Sequence, residues 1–125
     1  MSRDARAYLS DVIEACDAIT DAVQGLDLQD YEGNRLVRSS VEREFIIIGE
    51  ALAALNRMSK EIFGSITRAR RIVDFRNQLT HQYRNVDDAI VWAISERDVP
   101  VLRSECTLHL SHILQASESA PEEGE

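Results

Sequence analysis

Apolar residues in this chain return every three or four positions, and little interrupts them. From Arg3 to Gly25 the series is Tyr8, Val12, Ala15, Ile19 and Val23, one face of an amphipathic helix that ends at a glycine. The stretch 26-LDLQDYEGN-34 is polar and reads as a connection. A second helix, from about Asn34 to Arg57, aligns Val37, Val41, Phe45, Ile48, Leu52 and Leu55. Leu36, Ile47, Ala51, Ala54 and Met58 extend well beyond that line, and 45-FIIIG-49 is apolar all round. Such a helix is expected to be buried on two sides, one against the core and one against a second subunit. Ser59 is placed to cap a short turn, 60-KEIFG-64, and a third long helix follows from about Thr67 to Tyr83. A fourth pattern starts after Asn85 with Val86, Ile90, Val91 and Ile94. Asp98 and Pro100 then read as an N-cap and an early helical proline, predicting a break near Arg97 and a restart to about Ala116. No alternating strand pattern occurs, and only two prolines and five glycines are present. The expected fold is all-α: an up-and-down four-helix bundle, homodimeric, with its last helix broken near Arg97.

A chain of 125 residues, 44% of them hydrophobic, suits one domain with one core, placed here at residues 1–116. The remainder, 117-SESAPEEGE-125, lacks apolar periodicity and reads as an acidic, disordered tail. The formal net charge of -8 argues against nucleic-acid binding until its distribution is considered. Arg68, Arg70, Arg71, Arg76 and Arg84 lie close together, opposed there only by Asp74, while Glu118, Glu122, Glu123 and Glu125 fall in the tail. A local basic patch of this kind can hold phosphate. Cys16 and Cys106 are too few and too far apart for a disulfide framework or a zinc site and read as buried thiols. The start, 1-MSRDARAYLSDVIEACD-17, has no uninterrupted apolar stretch of the signal-peptide kind, and no segment approaches a membrane span. The expected location is cytoplasmic, with no membrane contact.

The segment 76-RNQLTHQY-83 concentrates chemistry in two helical turns. At about 100° per residue, Ile72, Phe75 and Leu79 share a buried arc with Tyr83 at its edge. Beside that arc Arg76, Thr80, Arg84, Asn77 and His81 follow in angular order. A guanidinium, an amide, an imidazole and a phenol can therefore face one groove. Cleaving RNA without a metal requires a base for the ribose 2′-hydroxyl, an acid for the leaving 5′-oxygen and a cation for the phosphate. Histidine serves the proton transfers near neutral pH, and arginine presents a fork of donors to phosphate oxygens. A two-fold interface would bring a second histidine and a second arginine to the same groove.

The series Arg76-Asn77-x-x-x-His81-x-Tyr83 resembles the R-x4-H-x-Y signature of the HEPN superfamily, and more closely the HepT toxins of HepT/MntA toxin–antitoxin pairs. The likeness covers most of the chain. The stretch 72-IVDFRNQLTHQYRNVDDAIVW-92 is similar to that family's signature helix with its V-D and I-V-W sequel. Upstream, 42-EREFIIIGEAL-52 resembles its E-R…I-G-E-A segment, and 98-DVPVL-102 its D-L-P-x-L restart. One departure stands out: 67-TRARRI-72 replaces the proline–tryptophan pair that members often carry there. The resemblance implies a homodimeric helical bundle acting as a metal-independent endoribonuclease toxin that needs no cofactor. By the same resemblance Arg76 would hold the scissile phosphate, His81 would be the acid–base residue and Asn77 would orient the substrate. Tyr83 would receive AMP from ATP, transferred by a cognate MntA-like nucleotidyltransferase antitoxin, which silences the toxin. Arg70, Thr80 and Arg84 are further candidates for RNA contact.

Other residues have plainer readings. Glu42, Arg43 and Glu50 suit helix-surface ion pairs, Gly49 suits close helix packing, and Trp92 suits the core or an interface. His109 and His112 are spaced to begin a metal site, but only Glu105 stands at helical spacing to extend it, so no metal is expected. An alternative function is a non-catalytic HEPN module that binds a nucleotidyltransferase or a nucleotide, since fold alone does not settle activity.

Overall fold

A computed structural model describes residues 3–81 and 86–119. Six helices account for nearly all of them: α1 (Ala5–Val23), α2 (Leu28–Glu32), α3 (Arg35–Met58), α4 (Lys60–Ser65), α5 (Ala69–His81) and α6 (Asp88–Ser119). No strand occurs among the described residues, so the all-α expectation is met.

Helix starts follow from local hydrogen bonding. Asp4 caps α1 by accepting from the Ala7 amide at 3.3 Å, Asn34 caps α3 from Val37 at 3.1 Å, and Ser59 caps α4 from Ile62 at 3.2 Å. The chain leaves α1 through Gly25, whose φ of 78° lies in the left-handed region that glycine adopts without strain. The segment expected to be a plain connection instead contains α2. Its cause is a capping box: Asp27 accepts from the Asp30 amide at 2.8 Å while Asp30 accepts from the Asp27 amide at 3.1 Å. The short helix carries Tyr31 into the core, where its ring stands 5.5 Å from that of Trp92. The Tyr31 hydroxyl is buried with no hydrogen-bond partner among the described residues. That costs roughly 1–3 kcal/mol, set against the burial and ring contact of a large aromatic side chain.

Helix α1 packs against both α3 and α6, and α3 also carries α5 and α4. Leu9, Val12, Cys16 and Ile19 of α1 meet Val41, Phe45, Ile48, Leu52 and Leu55 of α3 and Val99, Leu102 and Cys106 of α6 in one core. The second apolar side of α3 is partly covered within the chain, Ile46, Ile47 and Ala53 packing at the core margin while Leu36 is exposed.

The expected break near Arg97 does not occur. Helix α6 runs unbroken through Pro100, so Asp98 is an interior residue and not an N-cap. A proline there removes one helical hydrogen bond and crowds the preceding turn, but Val99 and Leu102 on either side of it are buried in the shared core. Arg103 of α6 also forms an ion pair with Asp17 of α1. Packing along this length holds the helix that local sequence would stop. Helix α6 also passes the domain end expected at residue 116, reaching Ser119, and the rest of the tail lies outside the described residues.

The stretch before α5 is tied to α6 by side chains. The Thr67 amide and hydroxyl donate to the two carboxylate oxygens of Glu105 at 2.8 and 2.7 Å, and Ser65 Oγ lies 2.7 Å from His109 Nε2. Arg68 has a φ of 58°, a left-handed conformation uncommon for a residue with a side chain. Its guanidinium reaches the buried Asp98 carboxylate at 3.1 Å, which Arg97 also contacts at 3.2 Å.

Cys16 and Cys106 are free thiols, both fully buried. Burial pushes both up to about 12; Cys106 adds to the effect on Cys16, and Glu105 to that on Cys106. The thiolate is therefore disfavoured in the fold, and their contribution to stability falls as pH rises from about 9 toward 12. Folded protein at pH 8 is expected to resist iodoacetamide, with both cysteines alkylated only after denaturation. Rapid alkylation of the folded protein in a mass spectrum would contradict this burial. No described helix is long and apolar enough to cross a membrane.

Candidate active site

Helix α5 turns Ile72, Phe75 and Leu79 into the core, as the periodicity predicts, and Val73 with them. Its rotation is fixed by two neighbouring contacts with α3. Phe75 meets Phe45 edge to face, with centroids 5.3 Å apart and planes at 80°. One residue on, Arg76 lies against Gly49: a methyl group at position 49 would sit 2.3 Å from Arg76 Cβ, 2.6 Å from Cγ and 3.3 Å from Nε. The sequence reading of Gly49 as a close-packing residue is met, and the residue it admits is Arg76.

Arg76 is half-buried, and its Nε–H is buried with no hydrogen-bond partner in the described structure. Asn77 and His81 are exposed, and Thr80 is exposed with its hydroxyl donating to the Asn77 carbonyl at 3.1 Å. By helical spacing Arg76, Thr80, Asn77 and His81 thus follow one another around one flank of α5, from the α3 contact at Arg76 to the exposed side at His81. Arg70 is on the same flank two turns earlier, its guanidinium 5.2 Å from the centre of the Phe63 ring. The candidates Tyr83 and Arg84 lie outside the described residues.

A cleft of about 580 Å³ opens on the opposite flank of α5, between it and α6. Ile72, Phe75 and Ile94 contribute apolar surface to it, with Arg71, Gln78 and Arg97 among its polar residues. Among the described residues its lining includes neither Arg76, Asn77 nor any histidine. Two of its arginines, Arg68 and Arg97, are already engaged with Asp98. Size favours the cleft, but proton-transfer chemistry favours the strip, which supplies an imidazole and an arginine whose stem is held against α3.

Glu42 differs from its expected surface pairing. It is half-buried, and burial, reinforced by Asp88 and opposed by Arg38, pushes its carboxyl above the usual carboxylate range. Arg38 itself reaches Asp88 at 3.7 Å and donates to the Glu32 carbonyl. Arg43 and Glu50 are exposed, and neither forms the expected ion pair among the described residues. Glu105 is engaged by Thr67 and His109 by Ser65, so that pair's neighbourhood serves as a tie to the start of α5.

The family model described as Ribonuclease HepT-like matches residues 12–108, which include the strip, its glycine seat and most of α6. The chain belongs to the HepT-like ribonuclease family. Relatives extend over the same region. "Putative RNase MJ1380" of Methanocaldococcus jannaschii is 31% identical over 103 residues, covering 82% of this chain and 94% of its own length. "Probable ribonuclease HepT" of Thermococcus cleftensis is 28% identical over 103 residues, 82% of this chain and 93% of its own. "Putative RNase TTE0752" of Caldanaerobacter subterraneus is 25% identical over 100 residues, 80% and 88% of the two chains. No solved structure matches at a significant level. The matched region includes Arg76, Asn77 and His81 of α5.

Proposed function

We propose that this HepT-like chain is a metal-independent endoribonuclease, the toxin of a cytoplasmic type II toxin–antitoxin pair. The observation that carries the reading is Arg76: its stem is packed against α3, and its Nε–H is buried with no partner among the described residues. Packing of the stem fixes the base of the guanidinium, whose outer N–H groups suit the oxygens of a substrate phosphate. Beside it, the exposed His81 can exchange protons with ribose and leaving oxygens. The ribose 2′-oxygen attacks phosphorus as its proton passes to a histidine. The bond to the 5′-oxygen breaks as a second histidine returns a proton, leaving a 2′,3′-cyclic phosphate and a 5′-hydroxyl. One subunit offers one such histidine, so the proposal includes a homodimer of up-and-down four-helix bundles whose α5 strips face a common cleft. Asn77 orients the RNA, with Arg70, Thr80 and Arg84 contacting its backbone. A cognate MntA-like nucleotidyltransferase silences the site by placing AMP on Tyr83.

The test is cleavage of total cellular RNA in EDTA by protein whose intact mass shows no adduct. Products ending in 2′,3′-cyclic phosphate are expected. No cleavage of any RNA by folded, unmodified dimer would overturn the reading in favour of a non-catalytic module that binds a nucleotidyltransferase or a nucleotide.

A further inference from the structure

Helix α5 is exposed along much of its surface, yet one charged side chain is held firmly at its middle. A Cβ at position 49 would lie 2.3 Å from Arg76 Cβ and 2.6 Å from Cγ, distances that real side chains do not tolerate. No flexible tip is involved: the first two carbons of Arg76 themselves occupy the space. The groove over Gly49 therefore exists only because that residue lacks a side chain, and the base of Arg76 fills it. The contact continues to Nε, which a Cβ would approach at 3.3 Å and which is buried with no partner among the described residues. Four residues before Gly49 on the same face of α3, Phe45 engages Phe75, the residue preceding Arg76. An aromatic contact and a glycine groove thus fix both the rotation of α5 and the path of one side chain leaving it. By contrast, a Cβ at Gly64 would meet nothing within 4 Å.

We infer that Gly49 is the positioning residue for Arg76, seating its stem on the α3 backbone so that the guanidinium is presented to an RNA phosphate from a fixed base. Its phosphate partner rests on the function proposed above; the seat itself does not. Preorganisation of this kind matters because a donor that must reorganise loses much of its value in stabilising a transition state. An alanine at 49 requires α3 and α5 to separate or Arg76 to leave its groove. Either change moves the guanidinium relative to Asn77 and His81, while the rest of the strip keeps its chemistry.

The experiment has two readouts on wild type, Gly49→Ala, Arg76→Ala and the control Gly64→Ala. The first is the Arg76 Nε–H resonance in a proton–nitrogen spectrum, assigned by its loss in Arg76→Lys. In wild type it is expected to exchange slowly with water, in contrast to the exposed Arg35, and in Gly49→Ala to shift and exchange faster. The second is the salt dependence of binding to a fully 2′-O-methylated RNA, which lacks the attacking hydroxyl. Removing one cation from a phosphate lowers the log–log slope by about 0.7 for a single strand. Gly49→Ala and Arg76→Ala are each expected to lower it by about that amount and the double variant by no more, with Gly64→Ala unchanged. A glycine needed only for folding would lower thermal stability and leave the slope of the folded fraction alone. Folded Gly49→Ala with the wild-type resonance and the wild-type slope overturns the inference. If Gly49→Ala does not fold, wild-type exchange decides: slow exchange supports the seat, and exchange as fast as that of Arg35 removes it. If wild type binds no RNA, the proposed function fails and the Nε–H resonance still decides whether Gly49 holds Arg76.

Discussion

Replacing Arg76 with alanine is expected to lower RNA cleavage by roughly 10²- to 10³-fold, the usual effect of removing one preorganised donor from developing charge. The protein should remain folded. Truncation removes a buried donor that has no partner in the described structure, which relieves an unmet demand, and forfeits some packing of the stem against α3. These effects oppose one another, so the melting temperature should move by only a few degrees while activity collapses. His81→Ala is expected to cost roughly 10²- to 10⁴-fold, in the range of general acid–base residues. Its side chain is exposed, so stability should hardly change. The two losses should not multiply, because both groups act on one step and each needs the other in place. The measurement is initial rate on a defined RNA, with circular dichroism confirming the fold. Either folded variant retaining more than a third of wild-type rate would remove its residue from the site.

Adenylylation of Tyr83 is expected to silence cleavage almost completely. The phenol oxygen displaces pyrophosphate from the α-phosphorus of ATP and loses its proton, leaving a bulky anionic nucleotide two residues beyond His81. Volume and negative charge then both oppose RNA phosphates at a flank whose cation is Arg76. Wild type treated with the cognate nucleotidyltransferase and ATP should gain the mass of one adenylyl group per chain and lose at least about 10²-fold in rate. Tyr83→Phe should cleave RNA within roughly tenfold of wild type and stay active after the same treatment, since phenylalanine keeps the ring but lacks the oxygen that AMP requires. Silencing of Tyr83→Phe to the same extent would assign control to another residue or to simple complex formation.

Much of this fold was readable because helix-forming signals are local. Periodicity correctly assigned Ile72, Phe75 and Leu79 to the core, and Ser59 to a cap. Helix α2 was also encoded locally, in the Asp27 and Asp30 pair, but the polarity of the segment obscured its capping box. The continuity of α6 was not local information. Pro100 and Asp98 carry a genuine stop signal, and it is overridden by burial against a helix far away in sequence. The strip itself was readable as residue types at helical spacing, whereas the contact between Gly49 and Arg76 was not. Spacing gives the face on which a side chain lies and says nothing about which atom of another helix will meet it. Glu42 illustrates the same limit: a charged residue on an amphipathic helix reads as solvated until the neighbours that bury it are known.

The ties before α5 have a mechanical consequence. Thr67 and Arg68 are fastened to α6, and Ser65 meets His109, so the helix is clamped where it begins. Beyond the clamp it leans on α3 along one flank and faces the cleft along the other. Arg76 sits on its glycine support partway along, while His81 ends the described helix. A load on α5 from the cleft side would therefore be taken up on α3, through the Phe45–Phe75 contact and the Gly49 support beneath Arg76.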